Sequence, residues 1–159
     1  MAIYMKYAGI EGASTTKGLE KWIVVDSFQY GVNRSMTSPS RASLSREASE
    51  VNISEIVITK QMDKSSPKLW QEAVGGVLDS KVEFKFTTAA KGETTIYAHF
   101  TLDDCGISAY SMSSGADTKP TESLSINFTK ITWSYTPTDE KASGTPEKVG
   151  WNLATQQKV

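Results

Sequence analysis

Cysteine and histidine are nearly missing from this sequence, which has Cys105 and His99 and no others. One cysteine excludes an internal disulfide, so the chain needs no oxidising compartment in which to fold. One of each also falls short of the usual zinc ligand set. No stretch approaches the roughly 18 consecutive apolar residues of a membrane span. The opening Met1-Ala2-Ile3-Tyr4-Met5-Lys6-Tyr7 lacks a basic stretch followed by an apolar core, so it does not read as a secretory signal. Export, if it occurs, is expected by another route and with no cleaved leader. Charge of one sign is not in excess either: 17 Lys+Arg stand against 18 Asp+Glu. That balance argues against nucleic-acid binding and leaves little repulsion between copies. Neither glycine pattern of a phosphate-binding loop is present.

What remains is a globular composition, with 38% hydrophobic and 22% charged residues over a length suited to one domain, 1–159. Most of it reads as strands. Val82, Phe84 and Phe86 alternate with polar neighbours, Ala90-Lys91-Gly92 reads as a turn, and Ile96, Ala98, Phe100 and Leu102 alternate in return. A hairpin with those residues inside is predicted. Three segments alternate but change phase midway. Ile23 and Val25 give way to Phe28, Tyr30 and Val32 around Asp26; Val51 and Ile53 give way to Ile56 and Ile58 near Ser54-Glu55. Leu124, Ile126 and Phe128 give way to Ile131, Trp133 and Tyr135 near Thr129-Lys130, where a bulge is expected. Long strands that bend while keeping one face apolar predict a mainly β fold, a barrel or a strongly curved sandwich.

One short flanking α-helix is predicted over residues 66–75. Ser66 is placed as its cap, Pro67 at its first position and Gly75-Gly76 at its stop. Leu69, Trp70, Ala73 and Val74 form its apolar stripe. About two turns do not persist alone in water, so burial of Leu69, Trp70 and Val74, each worth about 1.5–3 kcal/mol, is expected to hold it. The segment from Asn33 to Glu50 resists regular assignment. It carries six serines, Pro39, three arginines and two glutamates, and loops of that length are commonly functional. Without interleaved aromatics it reads as an interaction or linker loop and not as a nucleic-acid site.

The chemistry for catalysis is thin. His99 falls on the polar side of its strand, and no Gly-x-Ser-x-Gly elbow accompanies it. Asp103-Asp104 reads as a strand-end or turn pair, because adjacent strand residues point to opposite faces. Cys105, before Gly106 at that strand end, reads as an inert small hydrophobe. No catalytic, cofactor or metal residue is assigned.

Several stretches together carry a family resemblance. Ser54-Glu55-Ile56-Val57-Ile58-Thr59-Lys60, running on through Asp63-Lys64-Ser65-Ser66-Pro67-Lys68-Leu69, resembles the most characteristic block of the Hcp family (haemolysin-coregulated protein of type VI secretion systems). Glu122 to Ile131 with Tyr135 is similar to its late strand, Phe28-Gln29-Tyr30-Gly31-Val32 to its second-strand signature, and Gly150-Trp151-Asn152 to its close. The resemblance implies a two-sheet barrel with one helix, assembled as a homohexamer whose rings stack into the inner tube of a contractile machine. It implies a spike protein called VgrG, a contractile sheath and small effector proteins as partners, with no membrane insertion. It also implies residence in the cytoplasm before firing and delivery outside afterwards. With eight residues after Trp151, no toxic C-terminal domain is expected. Since Phe28, Tyr30 and Val32 should enter the core, Ser27 and Gln29 face away, and the resemblance makes them candidates for a lumen that holds cargo. Arg34, Arg41, Arg46 and Glu47 are the candidates for contacts between subunits or rings. A monomeric binding module or secreted effector, and a phage tail-tube subunit, are the alternatives.

Overall fold

The computed structural model describes residues 1–36, 50–90, 92–137 and 145–159. In chain order the elements begin with β1 (Ala2–Tyr7), β2 (Ile23–Val25), β3 (Ser27–Gln29), β4 (Val32–Asn33), β5 (Asn52–Ile53) and β6 (Ile56–Gln61). Helix α1 (Ser66–Gly75) follows, then the hairpin β7 (Ser80–Ala90) and β8 (Glu93–Ser113). The chain closes with β9 (Thr121–Asn127), β10 (Lys130–Tyr135), β11 (Glu147–Asn152) and β12 (Gln157–Lys158). The mainly β class with one helix is as the alternation predicts.

All pairings are antiparallel. One arc runs β12-β11-β10-β8-β7-β1-β2; a second arc runs from the far half of β8 through β9 and β6 to β3. Together they are one 10-stranded sheet folded back on itself, with β4 and β5 as a separate two-stranded ribbon. The arcs are joined through the chain at two corners, and among the described residues no unbroken ring of ladders closes the expected barrel. One corner is Asp26, whose N–H donates to the Thr59 carbonyl at 2.8 Å. The other lies inside β8 at Asp104, which takes a left-handed φ of +53°.

The three phase changes mark these passages. Asp26 separates β2 in one arc from β3 in the other, Ser54-Glu55 separates the ribbon from β6, and Phe128-Thr129 separates β9 from β10. The bulge expected at Thr129-Lys130 is therefore a change of arc. When a strand crosses to the opposite wall of one core, the parity that faces inward must invert. Likewise, Asp103-Asp104 does not end a strand: β8 runs on to Ser113. Cys105 is fully buried there, and burial pushes its thiol up to about 12.

The core gathers Met5, Ile23, Ile56, Ile58, Leu69, Val82, Phe84, Leu102, Leu124 and Ile126 from both arcs. Phe28 meets Phe84, Phe86 and Phe100 with ring centroids 5.0–5.1 Å apart, and Phe100 stacks on Trp133 at 5.4 Å. Such pairs add about 0.5–1.5 kcal/mol each beyond area burial. Four expectations fail at the margins. A register shift at Phe86/Thr87 pairs Ile96 with Thr87, which turns Ile96 outward (37% exposed) and leaves Thr87 buried. Val32 is 60% exposed, beside an open apolar recess of about 260 Å³ shared with Tyr30, Ile53 and Trp133. Tyr135 is half-exposed near the end of its strand. On α1 only Ser66 and Leu69 are buried; Trp70 and Val74 stay 55% and 68% exposed. The helix packs on β8 through Leu69, with Ala73 partly buried against the core beside it. Its cap is also displaced by one residue: Ser65 holds the N-cap position, with no capping bond from its side chain.

Ser66 has other work. Its hydroxyl accepts from the Asp63 N–H at 3.0 Å and from the Lys60 ammonium at 3.3 Å. Lys60, fully buried on β6, also donates to Glu122 Oε2 at 2.5 Å, the Gln61 carbonyl at 2.9 Å and Asp63 Oδ1 at 3.2 Å. Glu122 lies directly across the ladder on β9, and the Tyr110 hydroxyl of β8 donates to its other oxygen. Burial alone would push the Glu122 carboxyl up; the hydrogen bonds from Lys60 and Tyr110 and the Lys60 charge outweigh it and hold the carboxyl below its ordinary value.

Removing one partner strands a buried charge. Lys60→Met is expected to lower stability in urea by about 3–5 kcal/mol, and Lys60→Met with Glu122→Leu by less than the sum of the two single changes. A double replacement that costs the full sum would show that the two residues are not coupled. The pH dependence follows from the lowered Glu122 value. The pairing stabilises fully above the ordinary carboxyl value of 4.5 and is lost as pH falls through the lower folded value. Glu122→Gln is therefore expected to flatten the acid limb of the urea midpoint plotted against pH.

Candidate functional site

Strand pairing carries the outward side chains of the second arc into rows. Ser27 on β3 faces Thr59 on β6, Thr59 faces Ser123 on β9, and Ser123 faces Ser111 on β8. The next row is Gln29, Val57, Ser125 and Ala109; on the other side lie Gln61, Thr121 and Ser113. None of these positions is charged, and only Val57 and Ala109 are apolar. The cause is local. Each strand alternates a core residue such as Phe28, Ile58, Leu124 or Ile126 with a small polar one, and antiparallel register keeps like with like.

The outward side of the first arc differs. There Lys6 faces Glu83, and Tyr4 faces Lys85, which faces His99. Residues 8–22 fold over part of it, laying Leu19 and Trp22 against Tyr4 and the Lys85 ammonium 4.7 Å from the Trp22 ring centre. The same fold thus has one outward face that carries charge and one that carries hydroxyls and amides.

Within the polar face, the Ser27 and Thr59 hydroxyls hydrogen-bond at 2.5 Å. Gln29 is exposed, and its amide has no partner among the described residues. At the rim, Glu55 accepts from Ser108 at 2.7 Å and from Asn127 at 3.2 Å, which occupies both carboxylate oxygens. Inside that rim the surface offers donors and acceptors at low desolvation cost and no fixed charge. His99 lies on the other arc, its Nε2 3.1 Å from Glu83 Oε1, away from the serines of the polar face. Among the described residues no three His, Cys, Asp or Glu side chains are grouped to hold a metal.

The structure brings Ser27 and Gln29 onto one face as expected and adds Thr59, Ser111, Ser123 and Ser125, which sequence reasoning did not single out. Their signal was the Ser/apolar alternation of Ser123-Leu124-Ser125-Ile126; which strands stand beside it is set by tertiary pairing. Arg34 is exposed just past β4. Arg41, Arg46 and Glu47 lie outside the described residues.

The family model described as "Type VI secretion system effector, Hcp" matches residues 4–135. The chain is 29% identical over 107 residues to protein hcp1 of Pseudomonas aeruginosa; the alignment covers 65% of this chain and 66% of that protein, just under two thirds of its length. A solved structure described as that of a type six secretion system protein superposes with a TM-score of 0.90 at 27% identity, over 99% of both chains. Hcp1 from Salmonella typhimurium superposes with a TM-score of 0.80 at 17% identity, over 99% of this chain and 98% of that one, a likeness of fold alone.

Because the polar face contributes little to the core, Ser27→Ala and Thr59→Val are each expected to change stability by less than about 1 kcal/mol. Urea denaturation checks this, and a larger loss in either variant would make the face structural.

Proposed function

Since this chain belongs to the Hcp family of type VI secretion proteins, we propose that it is the subunit of a homohexameric ring that stacks into the inner tube and carries small effector proteins in its lumen. Its role is structural and not catalytic. The observation that carries this reading is the four-strand face that holds Ser27 and Gln29 without a charge. A passenger must be held and then released, and many exposed hydrogen-bonding groups without a fixed charge serve both needs. Desolvating a fixed charge under each passenger would instead demand a matching partner every time.

In this reading the polar face turns to the lumen, and head-to-tail contacts whose rotation closes produce the ring. Arg34, Arg41, Arg46 and Glu47, from the segment between β4 and β5, reach neighbouring subunits or rings. The spike protein VgrG and the contractile sheath complete the machine. The protein assembles in the cytoplasm and is then delivered outside the cell.

Native mass spectrometry at micromolar concentration is expected to find six copies per particle; monomer alone would refute the ring. Gln29→Arg is expected to leave that mass unchanged, since no core contact is lost, and to reduce recovery of a small co-expressed effector. Undiminished recovery with intact rings would remove Gln29 from the cargo wall.

A further inference from the structure

A second site stands apart from the polar face. Beside α1 is a cavity of about 330 Å³ with walls of Met62, Pro67, Trp70 and Met112 and a floor that includes Asp63 and Tyr110. Asp63 is nearly buried, its side chain 10% exposed. Its Oδ1 accepts from Lys60 at 3.2 Å, from the Ser65 N–H at 2.8 Å and from the Ser65 hydroxyl. Its Oδ2 accepts from nothing among the described residues. The Tyr110 hydroxyl cannot serve it, being given already to Glu122.

The neighbouring cations do not balance this charge. Lys60 is one ammonium between two carboxylates, Glu122 and Asp63, so one negative charge is left over. Lys64 turns to Glu11 at 3.8 Å, and the charge of Lys68 is felt by that same carboxylate. Lys119 borders a separate recess with Asp26 and Asp63 and pairs with neither.

The mouth of the cavity is apolar. Trp70 and Val74 stand exposed one turn apart on α1, Met112 is half-exposed, and Val77 and Leu78 are exposed just past the helix. Exposed apolar side chains gathered in this way mark a surface that another protein covers. Covering them would seal an incompletely bonded carboxylate away from water, at a cost that a cation from the partner offsets. A guanidinium suits the place: it donates in a planar fork, stacks on aromatic faces and is less strongly hydrated than an ammonium.

We propose that the cavity beside α1 takes an arginine side chain of a partner protein, with the guanidinium on Asp63 and against the Trp70 ring. Apolar neighbours of that arginine rest on Trp70 and Val74. The contact needs neither the ring nor the cargo wall, since no residue of the polar face takes part in it.

Isotope-labelled methionine methyl groups in the full-length protein report on it. Met62 and Met112 stand in the cavity wall, and the fully buried Met5 reports on the fold. The acetylated, amidated peptide Leu-Ala-Arg-Ala-Leu is expected to shift the Met62 and Met112 signals saturably and to leave Met5 in place. Its citrulline counterpart, which keeps the shape without the charge, should shift neither, and its lysine counterpart should bind more weakly. Asp63→Asn should weaken the arginine peptide about tenfold, the worth of one hydrogen bond to a charged group. Because Asp63 also holds Lys60 and Ser65, the exposed Trp70→Ala is the second variant, with a loss of about threefold expected. Equal shifts with the citrulline peptide, or affinities unchanged in both variants, would overturn the site. Absence of any shift would overturn it too. If replacing Arg34, Arg41 and Arg46 by lysine then restored binding, the occupant would be this protein's own arginine and not a partner's.

Discussion

A buried lysine with one ammonium and four acceptors is the constraint on which much of this architecture depends. Lys60 is fixed by β6, Glu122 by β9, Tyr110 by the far half of β8, and Asp63 and Ser66 by the entry to α1. Taking two opposite charges out of water costs several kcal/mol per ion unless geometry and hydrogen bonds offset it. A two-residue slip of β6 against β9, which keeps the same faces inward, would separate Lys60 from Glu122 and leave both charges buried and unpaired. The pair therefore selects the register of the second arc, and with it the rows of its outward face.

That register is what makes the outward face uniform. Ser27, Thr59, Ser123 and Ser111 come from four strands far apart in sequence, and they meet because their buried neighbours agree on one core. The helix is held in the same way. Its stripe is half-exposed, so Leu69 and the polar ties at Asp63 and Ser66 do what a broad apolar face would otherwise have done. The exposed Trp70 is then part of a wall instead of a core.

Much of the fold was legible in the alternation of residues. The hairpin partners Val82, Phe84, Phe100 and Leu102, the helix limits and the three inversions of phase could all be read directly. The meaning of the inversions could not, because a bulge and a change of arc leave the same trace in a single strand. Ile96 was misplaced for a related reason: the register shift at Phe86/Thr87 depends on the pairing and not on either strand alone. For the site, parity put Ser27 and Gln29 on the outward face. It was silent on Thr59, Ser123 and Ser111, since adjacency is a property of the sheet. Lys60 and Glu122 sat in two of the stretches that carried the family resemblance, yet nothing local marks a lysine as buried when its partner is 62 residues away.

One feature of the sheet bears on mechanics. Strand β8 is 21 residues long and belongs to both arcs, bound to β7 as far as Cys105, to β10 before Asp104 and to β9 from Gly106 on. Separating the arcs cannot proceed by peeling one edge, because a covalent backbone crosses the seam. A pull on one wall passes to the other along that backbone, and the ladders on either side resist in shear, many hydrogen bonds at once. The two walls of one chain therefore move together as a single stiff body.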